Sequence, residues 1–292
     1  MKLLEIDNLS ISIRNDRNLH PKLVDQTLVI NEGDVVLLTG PNGCGKSSVI
    51  KSLVGDVLDF TAMETKGDFY YFQNNQKVKI NCNEKSVSEF AGKTCYISQD
   101  DNTSFTTVMD CFLSGIEKEE IADKQKYVFD FILRHKAYQC YFSEDAEVKM
   151  TRKPLKLIEK LNLDRNDAAN QKTAILLTSK KRNMSGGQAK FLNILSNLVR
   201  IEFCIICLID EPLNNLDYSN VRLFSNIIAD LHEEYPKMAF VIVSHCRSIP
   251  SINRIVQIDA KSKRFLEVEN PKDALHLECN SCFGQIENGR YV

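Results

Sequence analysis

Gly40-Pro41-Asn42-Gly43-Cys44-Gly45-Lys46-Ser47 matches the pattern G-x-x-x-x-G-K-[ST] at every fixed position. That pattern is suited to holding phosphate. Glycine has no Cβ, so the backbone at Gly40, Gly43 and Gly45 can wrap closely around an anion. The N–H groups then point at its oxygens, and the start of the following helix adds partial positive charge. Lys46 is expected to reach the β and γ phosphates of a nucleotide. Ser47, with Ser48 beside it, is expected to ligate Mg²⁺.

A second candidate lies at 204–211, where an apolar run ends in Asp210 and Glu211. A buried parallel strand reads this way. Asp210 at its end would hold Mg²⁺, and Glu211, one residue on, would orient and deprotonate an attacking water. Taken alone, an acidic pair after an apolar strand is as consistent with structure as with chemistry; its weight comes from the phosphate loop upstream. A third candidate is Met184-Ser185-Gly186-Gly187-Gln188, leading into a helix at 189–200 whose Phe191, Leu192, Leu195 and Leu198 form an apolar stripe suited to core packing.

These residues need elements to hold them. Short strands are read at 3–6, 9–13, 27–30 and 35–38, the last running into the phosphate loop, with a helix from Ser47 through Val54. A hairpin is read at 68–72 and 77–80 around Asn74-Asn75, and a strand at 94–98. Between 110 and 182 strand signals give way to helical stretches, notably 116–134 and 155–163. Strands return at 203–210, 239–244, 254–258 and 265–268, with a helix at 219–234. Strands alternating with helices imply a mostly parallel sheet.

In this order the motifs resemble those of the ATP-binding-cassette family, from Gly40 to His245. Ser185-Gly186-Gly187-Gln188 resembles the signature that binds the γ-phosphate held by the other subunit; the family usually has Leu where Met184 stands. Tyr96-Ile97-Ser98-Gln99 resembles the Q-loop, whose glutamine senses Mg²⁺ and the γ-phosphate. Leu216-Asp217 resembles the D-loop, and His245 the switch histidine. The resemblance implies an α/β fold: a P-loop NTPase core with a mostly parallel sheet, an antiparallel β subdomain and an inserted helical subdomain. The expected domains are 1–109 with 201–270, then 110–200, then a tail at 271–292. It further implies an ATP hydrolase using ATP and Mg²⁺, with Glu211, His245 and Gln99 catalytic and Ser47, Gln99 and Asp210 at the metal. Gly40 to Ser48, Ser185 to Gln188 and Asp217 would contact the nucleotide. Phosphate loop and signature would lie on opposite faces of one chain, so two chains would pair head to tail around two ATP, as a homodimer or with a second subunit of the class. The expected partner is a separate transmembrane permease, because Phe105 to Asp110 resembles the segment that follows the Q-loop in transporter subunits. The alternative is a soluble ATPase of the same superfamily acting in assembly, for example of iron–sulfur groups.

The chain departs from that family before the phosphate loop. The family stacks adenine on an upstream aromatic, but no Phe, Tyr or Trp precedes Phe60; Ile13 or Arg14 holds the matching position, and His20 is a substitute. Weak selectivity between ATP and GTP follows. The separation between Lys46 and Ser185 is long, with extra residues near 61–84 and 118–152.

A net charge of −2 gives no broad grip on nucleic acid, and no sequence-specific nucleic acid is expected; Lys180-Lys181-Arg182 reads as a solvated basic run. No apolar run approaches the roughly 20 residues of a membrane span, so a cytoplasmic site, peripheral on the membrane's cytoplasmic face, is expected. The 10 cysteines read mostly as buried thiols. Cys204 and Cys207 read as one strand's opposite faces. The spacing His276, Cys279, Cys282 offers three metal ligands without a fourth, and a cysteine-rich tail is the plainer reading.

Overall fold

The computed structural model describes residues 1–15, 18–54, 63–73, 76–80, 85–98, 105–143, 146–214, 216–244, 249, 251–268, 286–287 and 290–291. The chain divides into two compact units. One comprises Met1–Gln99, Phe203–Leu213 and Leu231–Val292; the other comprises Asp100–Glu202 and Asn214–Asp230.

The first unit opens with β1 (Lys2–Asn15), β2 (Asn18–Asn31), β3 (Val35–Thr39), α1 (Lys46–Val54), β4 (Met63–Gln73), β5 (Gln76–Ile80), α2 (Lys85–Gly92) and β6 (Thr94–Ile97). The second unit carries α3 (Val108–Gly115), α4 (Lys124–Arg134), α5 (Arg152–Lys160), α6 (Ala168–Thr178) and α7 (Gly186–Leu198). The chain returns through β7 (Ile206–Asp210), passes along α8 (Tyr218–Glu234), and adds β8 (Ala239–Val243), β9 (Arg254–Asp259) and β10 (Arg264–Glu267). β11 (Ile286–Glu287) and β12 (Arg290–Tyr291) form a small separate ladder, in a tail where the sequence suggested no strand.

Two sheets build the first unit. One is antiparallel, in the order β2-β1-β4-β5; the other runs β10-β9-β3-β8-β7-β6 and is parallel except for β10. Every residue of β3, β7 and β8 is buried. Strands covered on both faces carry such continuous apolar runs, which is why they were readable. Leu4, Ile6 and Tyr71 of the antiparallel sheet share one apolar cluster with Val36, Leu208 and Val241 of the parallel one. This is the expected nucleotide-hydrolase core with an antiparallel subdomain, and the second unit is helical.

Several boundaries differ from the sequence reading. The strands at 3–6 and 9–13 are one strand, β1. The polar break between them is a bulge, with Asn8 at φ 55 and a register shift between Asp7 and Ser10. The helix read at 116–134 is helical only over its second half, from Lys124 to Arg134. α3 stops at Ile116, and α4 starts only after Asp123, whose side chain accepts from Lys126 N. α6 was not legible because its faces are almost equally buried, Asn170, Lys172 and Thr173 included, so no periodicity stands out. α2 was missed as well. Cys204 precedes β7; only Cys207 lies in the strand, so the two are not opposite faces of one element. Of the basic run, Arg182 is exposed, whereas the Lys181 ammonium sits 4.9 Å over the Phe105 ring.

Candidate nucleotide site

The parallel strands end together along one edge of the large sheet, and ligands of open α/β sheets bind outside that edge. The phosphate loop leaves β3 there and turns into α1. Asp210 closes β7, paired with Val243 at the end of β8, while Ile209 pairs with Ile97 at the end of β6. Gln99 and His245 follow those two flanking strands in sequence; both lie outside the described residues.

The loop takes backbone shapes that only glycine holds without strain. Gly40, Gly43 and Gly45 have φ of 146°, 72° and 109°. A Cβ on Gly40 would stand 2.8 Å from Ile258 O and 2.9 Å from Cys44 Sγ, whereas one on Gly43 would meet nothing within 4 Å. Pro41 and Asn42 are exposed at the loop's crest. Cys44 is 5% exposed, and burial raises its thiol pKa against the pull of the Lys46 and Lys22 charges, so it packs as a neutral thiol. Lys46 lies in the first turn of α1, and its ammonium donates to the carbonyls of Gly40 (3.0 Å) and Pro41 (3.3 Å). Ser48 is half-buried in the same turn.

Beneath the loop, the Ser47 hydroxyl donates to an Asp210 oxygen at 2.9 Å. Asp210 is 1% exposed. Glu211 follows at φ 48, a left-handed conformation that costs a non-glycine residue about 1–2 kcal/mol. Its N–H donates to Val243 O at 2.9 Å, so β8 holds the turn that ends β7. Of the residues read as metal ligands and base, Ser47, Asp210 and Glu211 are thus neighbours. Sidedness and oxygen chemistry fit a hard divalent cation: a hydroxyl and a carboxylate already in contact.

In the second unit, Ser185 caps α7. Its hydroxyl accepts from Gln188 N (3.2 Å), and Gln188 Oε1 accepts from Ser185 N (3.0 Å), a capping box. Gln188 Nε2 also donates to Cys140 O at 3.2 Å. Ser185 and Gly186 are exposed, and a Cβ on Gly186 would meet nothing within 4 Å; Gly187 is half-buried in the first turn of α7. Asp217 caps α8, accepting from Ser219 Oγ (2.6 Å), Asn220 N (2.9 Å) and Asn220 Nδ2 (3.0 Å). The Ser219 hydrogen bond leads in holding its carboxyl below the ordinary value.

At the positions expected to meet the base, Ile13 pairs with His20 and Arg14 with Leu19 across β1 and β2; Arg14, Leu19 and His20 are exposed. One residue escaped every motif: Lys22 of β2, whose Cβ lies 3.1 Å from where Gly45 would carry one. No sequence signal marks it, because the contact depends on strand register. The cysteine tail with His276, Cys279 and Cys282 lies outside the described residues. Cys44, Cys95, Cys111, Cys140, Cys204 and Cys207 are all buried.

Loop, carboxylate strand end and sheet order define an ATP-binding cassette built on a P-loop NTPase core. The ABC transporter family model matches residues 23–214, more than half of the chain, and the chain belongs to that family, a class of ATP hydrolases. It is 26% identical over 270 residues to "Putative HMP/thiamine import ATP-binding protein YkoD" of Bacillus subtilis (strain 168), covering 91% of this chain and 41% of that protein. The chain thus spans about two fifths of that relative's length. The fold resembles the dimeric, post-hydrolysis ATP-binding cassette MJ0796 bound to ADP and Pi, with TM-score 0.63 and 19% identity over 91% of this chain and 98% of the other. It also resembles cbiO1 from Clostridium perfringens, part of the ABC transporter complex cbiONQ, with TM-score 0.63 and 18% identity over 94% and 90%. Among the described residues no helix is long and apolar enough to cross a membrane.

Proposed function

We propose that the chain is an ATP-hydrolysing subunit that closes head to tail with a second copy, or with a second subunit of its class, around two ATP and so powers a separate transmembrane permease. The observation that carries the reading is the Ser47–Asp210 hydrogen bond at the foot of a phosphate loop, with Glu211 one residue on. Lys46 exchanges its loop carbonyls for the β and γ phosphates. Ser47 and Asp210, with Gln99, would hold Mg²⁺, which neutralises phosphate charge when bound. Glu211 accepts the proton of the attacking water on its carboxylate as the bond between the γ phosphorus and the bridging oxygen breaks and ADP leaves with that oxygen. His245 is assigned to the γ-phosphate.

The signature is assigned to the partner's nucleotide. Exposed Ser185 and open space at Gly186 leave the start of α7 accessible to an anion. Asp217 belongs near the same junction. The closed pair has two-fold symmetry, and hydrolysis removes the phosphate that bridges it. The names of the relatives, an import ATP-binding protein and a part of a transporter complex, favour work at a membrane.

The test is a pull-down of tagged Glu211→Gln from its native host, with ATP, in mild detergent, read by mass spectrometry. A polytopic membrane protein is the expected main partner. Soluble partners only, unchanged when detergent is omitted, would overturn the transporter reading and leave the assembly ATPase.

A further inference from the structure

Lys22 is placed by a defect in strand pairing. Ile11 faces Leu23, yet Ser12 faces Pro21, so Lys22 is the extra residue of a bulge on β2. A bulge re-aims one side chain and is common beside functional sites. Pro21, next to it, has no N–H to give the ladder and is suited to such a break. The re-aimed stem lies on the phosphate loop: a Cβ on Gly45 would stand 3.1 Å from Lys22 Cβ and 3.9 Å from its Cγ. Gly45 is therefore glycine both for its φ of +109° and to admit this lysine. The Lys22 charge acts on the Cys44 thiol together with that of Lys46. Lysine carries its ammonium on a flexible four-carbon stem, a mobile point charge for phosphate.

We infer that Lys22 is a nucleotide-binding residue whose ammonium contacts a phosphate oxygen of the nucleoside triphosphate seated in the 40–47 loop. The inference rests on the nucleotide-site reading above and adds to it a second cation, supplied from a strand and not from the loop. It also bears on selectivity. Lys22 reads phosphate, which ATP and GTP share, and no Phe, Tyr or Trp precedes Phe60 to stack a base.

The experiment is calorimetric titration of the full chain with ATP and with GTP, for wild type, Lys22→Met, Lys22→Arg and Lys46→Ala. Methionine keeps the stem's packing on Gly45 and removes the charge. A charge-assisted hydrogen bond lost in this way raises Kd about tenfold, and equally for both nucleotides. Arginine restores affinity to within about threefold, since a cation returns, and the thermal midpoint of nucleotide-free Lys22→Met stays at the wild-type value. If Lys46→Ala weakens binding while Lys22→Met does not, Lys22 has no such role and the nucleotide site stands. Unchanged affinity in both variants would remove the nucleotide-site reading itself. A loss confined to ATP would mean that Lys22 reads the base, which also overturns the inference.

Discussion

The phosphate loop and the signature are both loops that open a helix, yet they spend their polar groups differently. In the first unit, Lys46, Ser47 and Asp210 bond to the loop or to each other, on a backbone of left-handed glycines and a left-handed Glu211. Little of that is needed to form a helix or a strand. In the second unit, three residues assigned to the nucleotide also start helices: Ser185 and Gln188 cap α7, and Asp217 caps α8. Under the proposed function, the first set is committed to substrate, whereas the second set is shared between substrate and fold. Substitutions in the loop should alter chemistry with little change in stability, and those in the helical unit should alter both.

Glu211→Gln should break chemistry alone, and by the largest factor. Removing a general base costs about 10²–10⁴-fold in rate, while ATP affinity should stay within about threefold because the amide keeps size and polarity. Steady-state phosphate release beside equilibrium nucleotide binding checks it. Hydrolysis within tenfold of wild type would show that Glu211 is not the base.

How much of this was legible in sequence follows the same division. β3, β7 and β8 announced themselves because strands covered on both faces are continuously apolar. The loop was legible because glycine at fixed spacing is a backbone requirement written directly as residue type. The helical unit was blurred. Asp123 is an N-cap in the middle of a charged stretch and was read through, and α6 hides its period because it is buried nearly all round. Lys22 could not be found at all. Its position depends on a one-residue slip between Ile11 and Ser12, and register is a property of pairing that a single strand's sequence does not hold.

Gly115→Ala sharpens the comparison from the helical side. A Cβ there would fall 2.0 Å from Ser196 O, a backbone atom of α7, so α3 and α7 would have to part. Forcing a methyl into such a contact costs about 1–3 kcal/mol. Denaturant unfolding should show that loss. Phosphate release should fall too, because α7 carries the signature, while ATP affinity stays within about twofold of wild type since the loop is in the other unit. A stable Gly115→Ala protein with full activity would mean that the close crossing of α3 and α7 is not held in solution.

The smallest effect lies at Asp217, where cap and nucleotide roles can be separated by charge. Its carboxyl titrates below the ordinary aspartate value of 3.8, first because of the Ser219 hydroxyl and also through the backbone N–H groups of Ser219 and Asn220. A depressed folded pKa contributes stability that is present above 3.8 and is lost as pH falls through the lower folded value. Asparagine is an equally good N-cap, so Asp217→Asn should cost only a few tenths of a kcal/mol at neutral pH, and Asp217→Ala about 1 kcal/mol. The difference between wild type and Asp217→Asn should vanish in acid, where wild type is protonated, and grow on raising the pH; unfolding at several pH values measures it. A difference that persists unchanged in acid would show that the charge plays no part in the cap. If Asp217→Asn keeps stability but loses hydrolysis, the residue acts on the nucleotide beyond its cap. Full hydrolysis in the same variant would confine Asp217 to starting α8 and place the whole commitment to substrate in the first unit and the signature.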